Sequence, residues 1–128
     1  MTVHQPRILL VDDDPLARAA HELMLRQLAE VVTAVDGADA LATICWGAPF
    51  DLVICDVDMP RLDGPAFFRL LQKGWPTLAT QLVFLTGSSS AARERELRAL
   101  GRPVFRKPIA PEDLHALARL WLGARLAG

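Results

Sequence analysis

The sequence predicts an α/β protein built on an open, five-stranded parallel sheet with helices wound on both faces. Three observations carry this. Ile8-Leu9-Leu10-Val11, Leu52-Val53-Ile54-Cys55 and Leu82-Val83-Phe84-Leu85 are short apolar runs without polar interruption. Such runs read as strands buried on both faces, which suits a parallel sheet. Strand and helix patterns alternate five times along the chain, the order that gives right-handed crossovers onto one sheet. Asp12, Asp56 and Thr86 directly follow the three runs, at the carboxyl edge where open α/β sheets place their ligand sites.

The first strand ends in Asp12-Asp13-Asp14, followed by Pro15. Asp14 and Pro15 form an N-cap and N1 pair, opening a helix from about 15 to 29. Leu16, Ala20, Leu23 and Leu28 lie near helical spacing and form its expected apolar face. Val31-Val32-Thr33-Ala34 is a short strand, and Asp36-Gly37 turns into a helix from about 38 to 47 that carries Ala40, Leu41 and Ile44 inward. After the strand at 52–55, Met59-Pro60 and Asp63-Gly64-Pro65 turn the chain into a helix from about 65 to 74 with Phe67, Leu70 and Leu71. Gly74-Trp75-Pro76 breaks it. The strand at 82–85 leads through Thr86-Gly87 and a serine run to a charged helix, about 90 to 100, which stops at Gly101. Val104-Phe105 is the fifth strand, ending at Lys107-Pro108. The last helix, about 111 to 124, carries Leu114, Leu117, Leu120 and Trp121.

At 128 residues the chain reads as one domain, 1–128. It is 52% hydrophobic and 23% charged, a globular and not a disordered balance. A net charge of −1 gives no general attraction to nucleic acid or to anionic membranes. No apolar run approaches the ~20 residues of a membrane span, and the N-terminus lacks a signal-peptide pattern. Cys45 and Cys55 both lie in apolar segments and are expected to be buried, reduced thiols. A cytoplasmic protein is expected.

Asp12 and Asp13 have no capping role, and two adjacent carboxylates repel each other unless a cation or a lysine stands nearby. In a parallel sheet, strand ends of one polarity share one edge. Asp12, Asp13, Asp56, Thr86 and Lys107 should therefore converge although they are far apart in sequence. Taken singly, each has an ordinary explanation as a cap, a turn residue or a solvated charge. Together they suit phosphoryl transfer. Clustered carboxylates favour Mg2+, lysine gives a compact charge for a phosphoryl oxygen, and Asp56 is the candidate nucleophile.

Val-Asp-Asp-Asp-Pro at 11–15, the run Asp-Leu-Val-Ile-Cys-Asp-Val-Asp-Met-Pro-Arg-Leu-Asp-Gly at 51–64, Phe-Leu-Thr-Gly at 84–87 and Lys-Pro at 107–108 resemble the receiver (CheY-like) domain of two-component response regulators. The resemblance covers nearly the whole chain and implies a doubly wound sheet of flavodoxin-like strand order. It implies Asp56 as phosphoacceptor, with Asp13 on Mg2+, Asp12 supporting it, and the carbonyl of Asp58 as a third protein ligand. It further implies that Lys107 pairs with Asp56 and then with the phosphoryl group, that Thr86 closes on a phosphoryl oxygen, and that Lys107-Pro108 is cis. The implied partners are a histidine kinase or histidine phosphotransfer protein and a downstream protein at the face of the fourth helix, fifth strand and fifth helix. The chain is expected not to be an enzyme beyond its own phosphorylation and dephosphorylation. Asp58 and Ser88 are expected to border the water path to the phosphoryl group and leave it open.

Two features depart from the pattern. Where many receivers carry a switching aromatic, this chain has Val104, and period-2 alternation puts Phe105 on the other face. The output signal is then expected to run from Thr86 through the loop at 87–90 to the start of the fourth helix. The chain also ends after the fifth helix, as a stand-alone receiver or one module of a larger protein would. Two rivals are a haloacid-dehalogenase-type phosphatase, suggested by Asp56-Val57-Asp58, and a pseudo-receiver that only binds partners. The phosphatase's acidic pair should follow the first strand and here follows the third, and the site set is complete, which argues against the pseudo-receiver.

Overall fold

The computed structural model describes residues 5–88 and 90–123. The elements run β1 (Arg7–Val11), α1 (Pro15–Leu25), β2 (Glu30–Ala34), α2 (Gly37–Trp46), β3 (Leu52–Asp56), α3 (Gly64–Gly74), α4 (Pro76–Ala79), β4 (Leu82–Thr86), α5 (Ala91–Leu100), β5 (Val104–Arg106) and α6 (Pro111–Leu122). The five strands form one parallel sheet in the order β2-β1-β3-β4-β5. This is the doubly wound, flavodoxin-like arrangement that the resemblance implied. The fourth and fifth helices of the sequence reading are α5 and α6, because Pro76 restarts the chain as the single turn α4 after α3 ends.

Alternation along each strand divides the core into two layers. Leu9, Val11, Val53, Cys55, Leu82 and Phe84 pack beneath α2, α3, α4 and α5. Ile8, Leu10, Leu52, Ile54, Val83 and Leu85 pack beneath α1 and α6. All ten residues of β3 and β4 are buried, as continuous apolar runs between two helical layers require. Phe105 packs with the α1–α6 layer, while Val104 pairs in register with Phe84 on the opposite side and is 38% exposed.

Several helix faces differ from the sequence reading. α1 ends at Leu25, and Leu16 and Leu23 are 82% and 72% exposed. The helix turns Met24 and Leu25 inward instead, and the expected Leu28 packs with Ala29 from the turn beyond it. In α3, Phe67, Phe68 and Leu71 are buried and Leu70 is exposed. In α6, Leu114, Leu117, Ala118 and Leu122 are buried and Leu120 is exposed. The expected Phe67, Leu71, Leu114, Leu117 and Trp121 do face the core, while Leu70 and Leu120 fall outside it, since several apolar residues per turn let more than one stripe fit the period. Cys55 is buried but Cys45, on the outer side of α2, is exposed; neither forms a disulfide. The expected helix end at 124 lies outside the described residues.

The turns that deliver the site are capped as the sequence requires. Asp14 Oδ1 accepts from Leu16 N at 3.1 Å, Asp36 Oδ1 from Asp39 N at 2.8 Å, Asp63 Oδ1 from Ala66 N at 3.0 Å and Ser90 Oγ from Arg93 N at 3.0 Å. Gly64 lets α3 start against the back of β3. A Cβ there would stand 2.8 Å from the Asp56 carbonyl and 2.9 Å from Val57 Cα. Gly64→Ala should therefore push α3 off the end of β3 and destabilise the protein by on the order of 2 kcal/mol, read as a lower urea midpoint. An unchanged midpoint would show that the close approach is not required.

Candidate functional site

The site is the carboxyl edge of β1, β3, β4 and β5. Asp12 and Asp13 follow β1, Asp56 is the last residue of β3, Thr86 the last of β4, and Lys107 follows β5. Asp12 and Asp56 are buried, while Asp13 is exposed. One carboxylate oxygen from each of Asp12, Asp13 and Asp56 lies within 4.8 Å of the others. Lys107 Nζ donates to Asp12 Oδ2 at 3.1 Å and lies 3.3 Å from Asp56 Oδ1. The partner that the adjacent acids demanded is thus supplied from 95 residues away.

Asp12 is held from behind by its neighbours. Asp12 Oδ1 accepts from Asp14 N at 2.9 Å, and Arg18 Nη1 donates to the Asp12 carbonyl at 2.7 Å. Lys107 N donates to the Thr86 carbonyl at 2.9 Å, fixing β5 beside β4, and the Lys107–Pro108 bond is cis. Thr86 is buried, and its hydroxyl oxygen accepts from Ser88 N at 3.0 Å.

Three carboxylates face one ammonium, so charge is not balanced. Burial, with Asp12 and Asp13 adding to it against Lys107, raises the Asp56 carboxyl to about 7. Burial lowers the Lys107 ammonium, but Asp56 and Asp12 outweigh it and leave it raised. An excess of hard oxygen donors is the donor set of a divalent cation such as Mg2+.

The Asp58 carboxylate is not part of this cluster. It accepts from Arg93 Nη2 at 2.9 Å. Arg93 escaped the sequence reading because a residue 35 positions away, inside a helix with alternating charges, looks like a solvated surface group. Asp36 was read only as a turn residue. It is buried and also pairs with Arg61, whose φ of +67° aims it back across the loop. A non-glycine residue in that conformation leaves no sequence signal.

The profile of the response regulator receiver domain matches residues 8–119. The chain belongs to the response regulator receiver family. It is 29% identical over 110 residues to Protein PilG of Pseudomonas aeruginosa, covering 84% of this chain and 81% of that one. It is 31% identical over 126 residues to Sensor protein GacS of Pseudomonas syringae pv. syringae, covering 94% of this receiver but only 14% of that protein. Among solved structures, it resembles a CheY-like receiver domain protein from Methanospirillum hungatei JF-1 with a TM-score of 0.84 and 25% identity, covering 95% and 97% of the two chains. It also resembles Vibrio cholerae chemotaxis protein CheY4, with a TM-score of 0.81 and 30% identity over 93% and 100%. The receiver's role is that of a phosphoacceptor module in two-component signalling. The phosphatase reading falls with this membership. Among the described residues, no helix is long and apolar enough to cross a membrane.

The raised Asp56 carboxyl has a signed consequence for stability. Between pH 3.8, its ordinary value, and about 7, the folded receiver holds a proton that the unfolded chain has lost, so stability falls as pH rises through that window. In metal-free buffer, Asp56→Asn should gain on the order of 2 kcal/mol over wild type at pH 8 and almost nothing at pH 4. Urea midpoints at the two pH values measure it. An equal gain at both would show that burial does not hold the proton.

Proposed function

We propose that Asp56 takes the phosphoryl group, from the phosphohistidine of a histidine kinase or histidine phosphotransfer protein. The observation that carries this is the Lys107 ammonium standing between Asp12 and Asp56 at the sheet edge, with Asp13 beside them. A carboxylate oxygen of Asp56 forms the new P–O bond as the P–N bond to the donor imidazole breaks, and the departing ring nitrogen keeps the electron pair. Asp56 must be ionised to attack, and its raised carboxyl means that a positive group has to draw the proton away near neutral pH.

Asp13, Asp56 and the Asp58 carbonyl would hold Mg2+, with Asp12 supporting through hydrogen bonds. Bound there, the ion supplies the positive charge that three carboxylates and one lysine lack. Lys107 neutralises the transferred oxygens on the other side. Thr86, the hydroxyl on the neighbouring strand end, donates to a phosphoryl oxygen and draws its loop inward. Self-phosphorylation and the return of phosphate to water are the only chemistry proposed. The face of α5, β5 and α6, where Val104 and Leu120 are exposed, is the proposed surface for the downstream partner.

Treatment with acetyl phosphate and Mg2+ should add one phosphoryl group to wild type and none to Asp56→Asn, read by intact mass. A full equivalent on the variant sinks the assignment, and no addition to wild type favours the partner-binding pseudo-receiver. Asp13→Ala should weaken Mg2+ at least tenfold in calorimetry, while a proton is released on binding to wild type below pH 7. An unchanged affinity in the variant would remove Asp13 from the metal set.

A further inference from the structure

Two routes out of the site meet at Arg93. Through its side chain, Nη2 donates to the Asp58 carboxylate at 2.9 Å, to Asp63 at 3.2 Å and to the Val57 carbonyl at 3.3 Å, while Nη1 donates to Glu96 at 2.6 Å. Val57 and Asp58 are the two residues after Asp56, and Asp63 caps α3. The Arg93 side chain is only 18% exposed, although its acceptor Asp58 is 57% exposed, so the guanidinium makes a forked contact that is half-shielded from water. Through its backbone, Arg93 N donates to Ser90 Oγ at 3.0 Å, Ser90 N to Ser88 Oγ at 3.3 Å, and Ser88 N to Thr86 Oγ1 at 3.0 Å. One residue therefore ends a line of hydrogen bonds from the hydroxyl on β4 and grips the loop that leaves β3.

We propose that Arg93 is a positioning residue that latches α5 to the β3–α3 loop in the unphosphorylated receiver, so that closure of Thr86 on a phosphoryl group works against it. This rests on Asp56 being the phosphoacceptor and Thr86 the responding hydroxyl. When Thr86 Oγ1 moves toward Asp56, the Ser88 N–H follows it or loses its acceptor, and the same holds at Ser90 and the α5 cap. The first turn of α5 is then drawn away from its present place against Asp58 and Asp63. A planar guanidinium holding four acceptors tolerates little displacement, whereas a lysine's point charge would swing with the loop. Val104 is a short, branched side chain and offers no rotating ring to absorb the movement. An interaction that opposes the closed arrangement must lower the affinity of any ligand that requires closure, by the same factor.

The sign separates this from electrostatics. Deleting a cation near an anion site weakens anion binding, whereas deleting a latch strengthens it. A purely structural anchor would lower stability and leave affinity alone. The experiment titrates beryllofluoride into the Mg2+-loaded receiver, followed by NMR, with folding of each variant checked by thermal unfolding. Arg93→Ala should bind about tenfold more tightly than wild type, and Arg93→Lys should fall between them. Arg93→Lys, the milder change that keeps the charge, covers the case in which Arg93→Ala fails to fold. In a Thr86→Ala background the Arg93 substitution should have no effect. Unchanged or weaker binding in folded variants overturns the latch, as does equal tightening without the hydroxyl. A wild type that accepts neither beryllofluoride nor phosphate overturns the phosphoacceptor reading itself, which is a different outcome.

Discussion

The structure depends on holding three carboxylates against one ammonium at the edge of a buried sheet. Left alone, Asp12, Asp13 and Asp56 would repel each other, and burial of two of them makes the repulsion stronger. Lys107 offsets part of that charge and leaves a site that favours a divalent cation and an anionic group together. The parallel sheet makes the arrangement possible. It brings four strand ends to one edge, buries β3 and β4 on both faces, and places the Asp14 N–H at the start of α1 behind Asp12 to fix it.

The two kinds of basic residue divide the labour. Lys73 and Lys107 are the only lysines, and the compact charge of the one at the site meets two carboxylates. Arginines tie loops instead. Arg7 pairs with Glu30 and stacks 4.5 Å from the centre of the Phe50 ring at the far edge of the sheet. Arg102 donates to the carbonyls of Leu82 and Thr80 and stands 5.3 Å from the centre of the Trp121 ring. Arg61 joins Asp36 to the loop after β3, and Arg93 joins α5 to the same loop. The loop that follows Asp56 is therefore held at two points by guanidinium groups whose geometry is directional.

Output through such a scaffold does not need an aromatic side chain. Val104 sits over Phe84 on the α5 side and Phe105 is committed to the opposite layer, so neither is placed to swing. On this side of the sheet Ser88 N donates to Thr86 Oγ1 and Ser90 N to Ser88 Oγ, so single hydrogen bonds link the end of β4 to the cap of α5. A segment held in this way is easily biased by one new bond at the site, and Arg93 stands where its movement would be felt.

The parallel sheet, the carboxyl-edge position of the acids and the N-cap at Asp14 were legible in the sequence because each follows from local pattern, whereas the strand order came only through the resemblance to receiver domains. Uninterrupted apolar runs mean strands covered on both faces, and a parallel sheet then forces Asp12, Asp56, Thr86 and Lys107 to one side. The period-2 placement of Val104 and Phe105 was legible for the same reason. The rotation of the helices was not. Leu16, Leu23, Leu70 and Leu120 fit the helical period as well as their buried neighbours do, and only packing against the sheet selects one stripe. Cys45 was misjudged as buried by the same ambiguity. The hold of Arg93 on Asp58 and Asp63 and of Arg61 on Asp36 depends on loops distant in sequence meeting at fixed distances. Local pattern carries no record of such meetings, so they were decided only when the sheet brought the loops together.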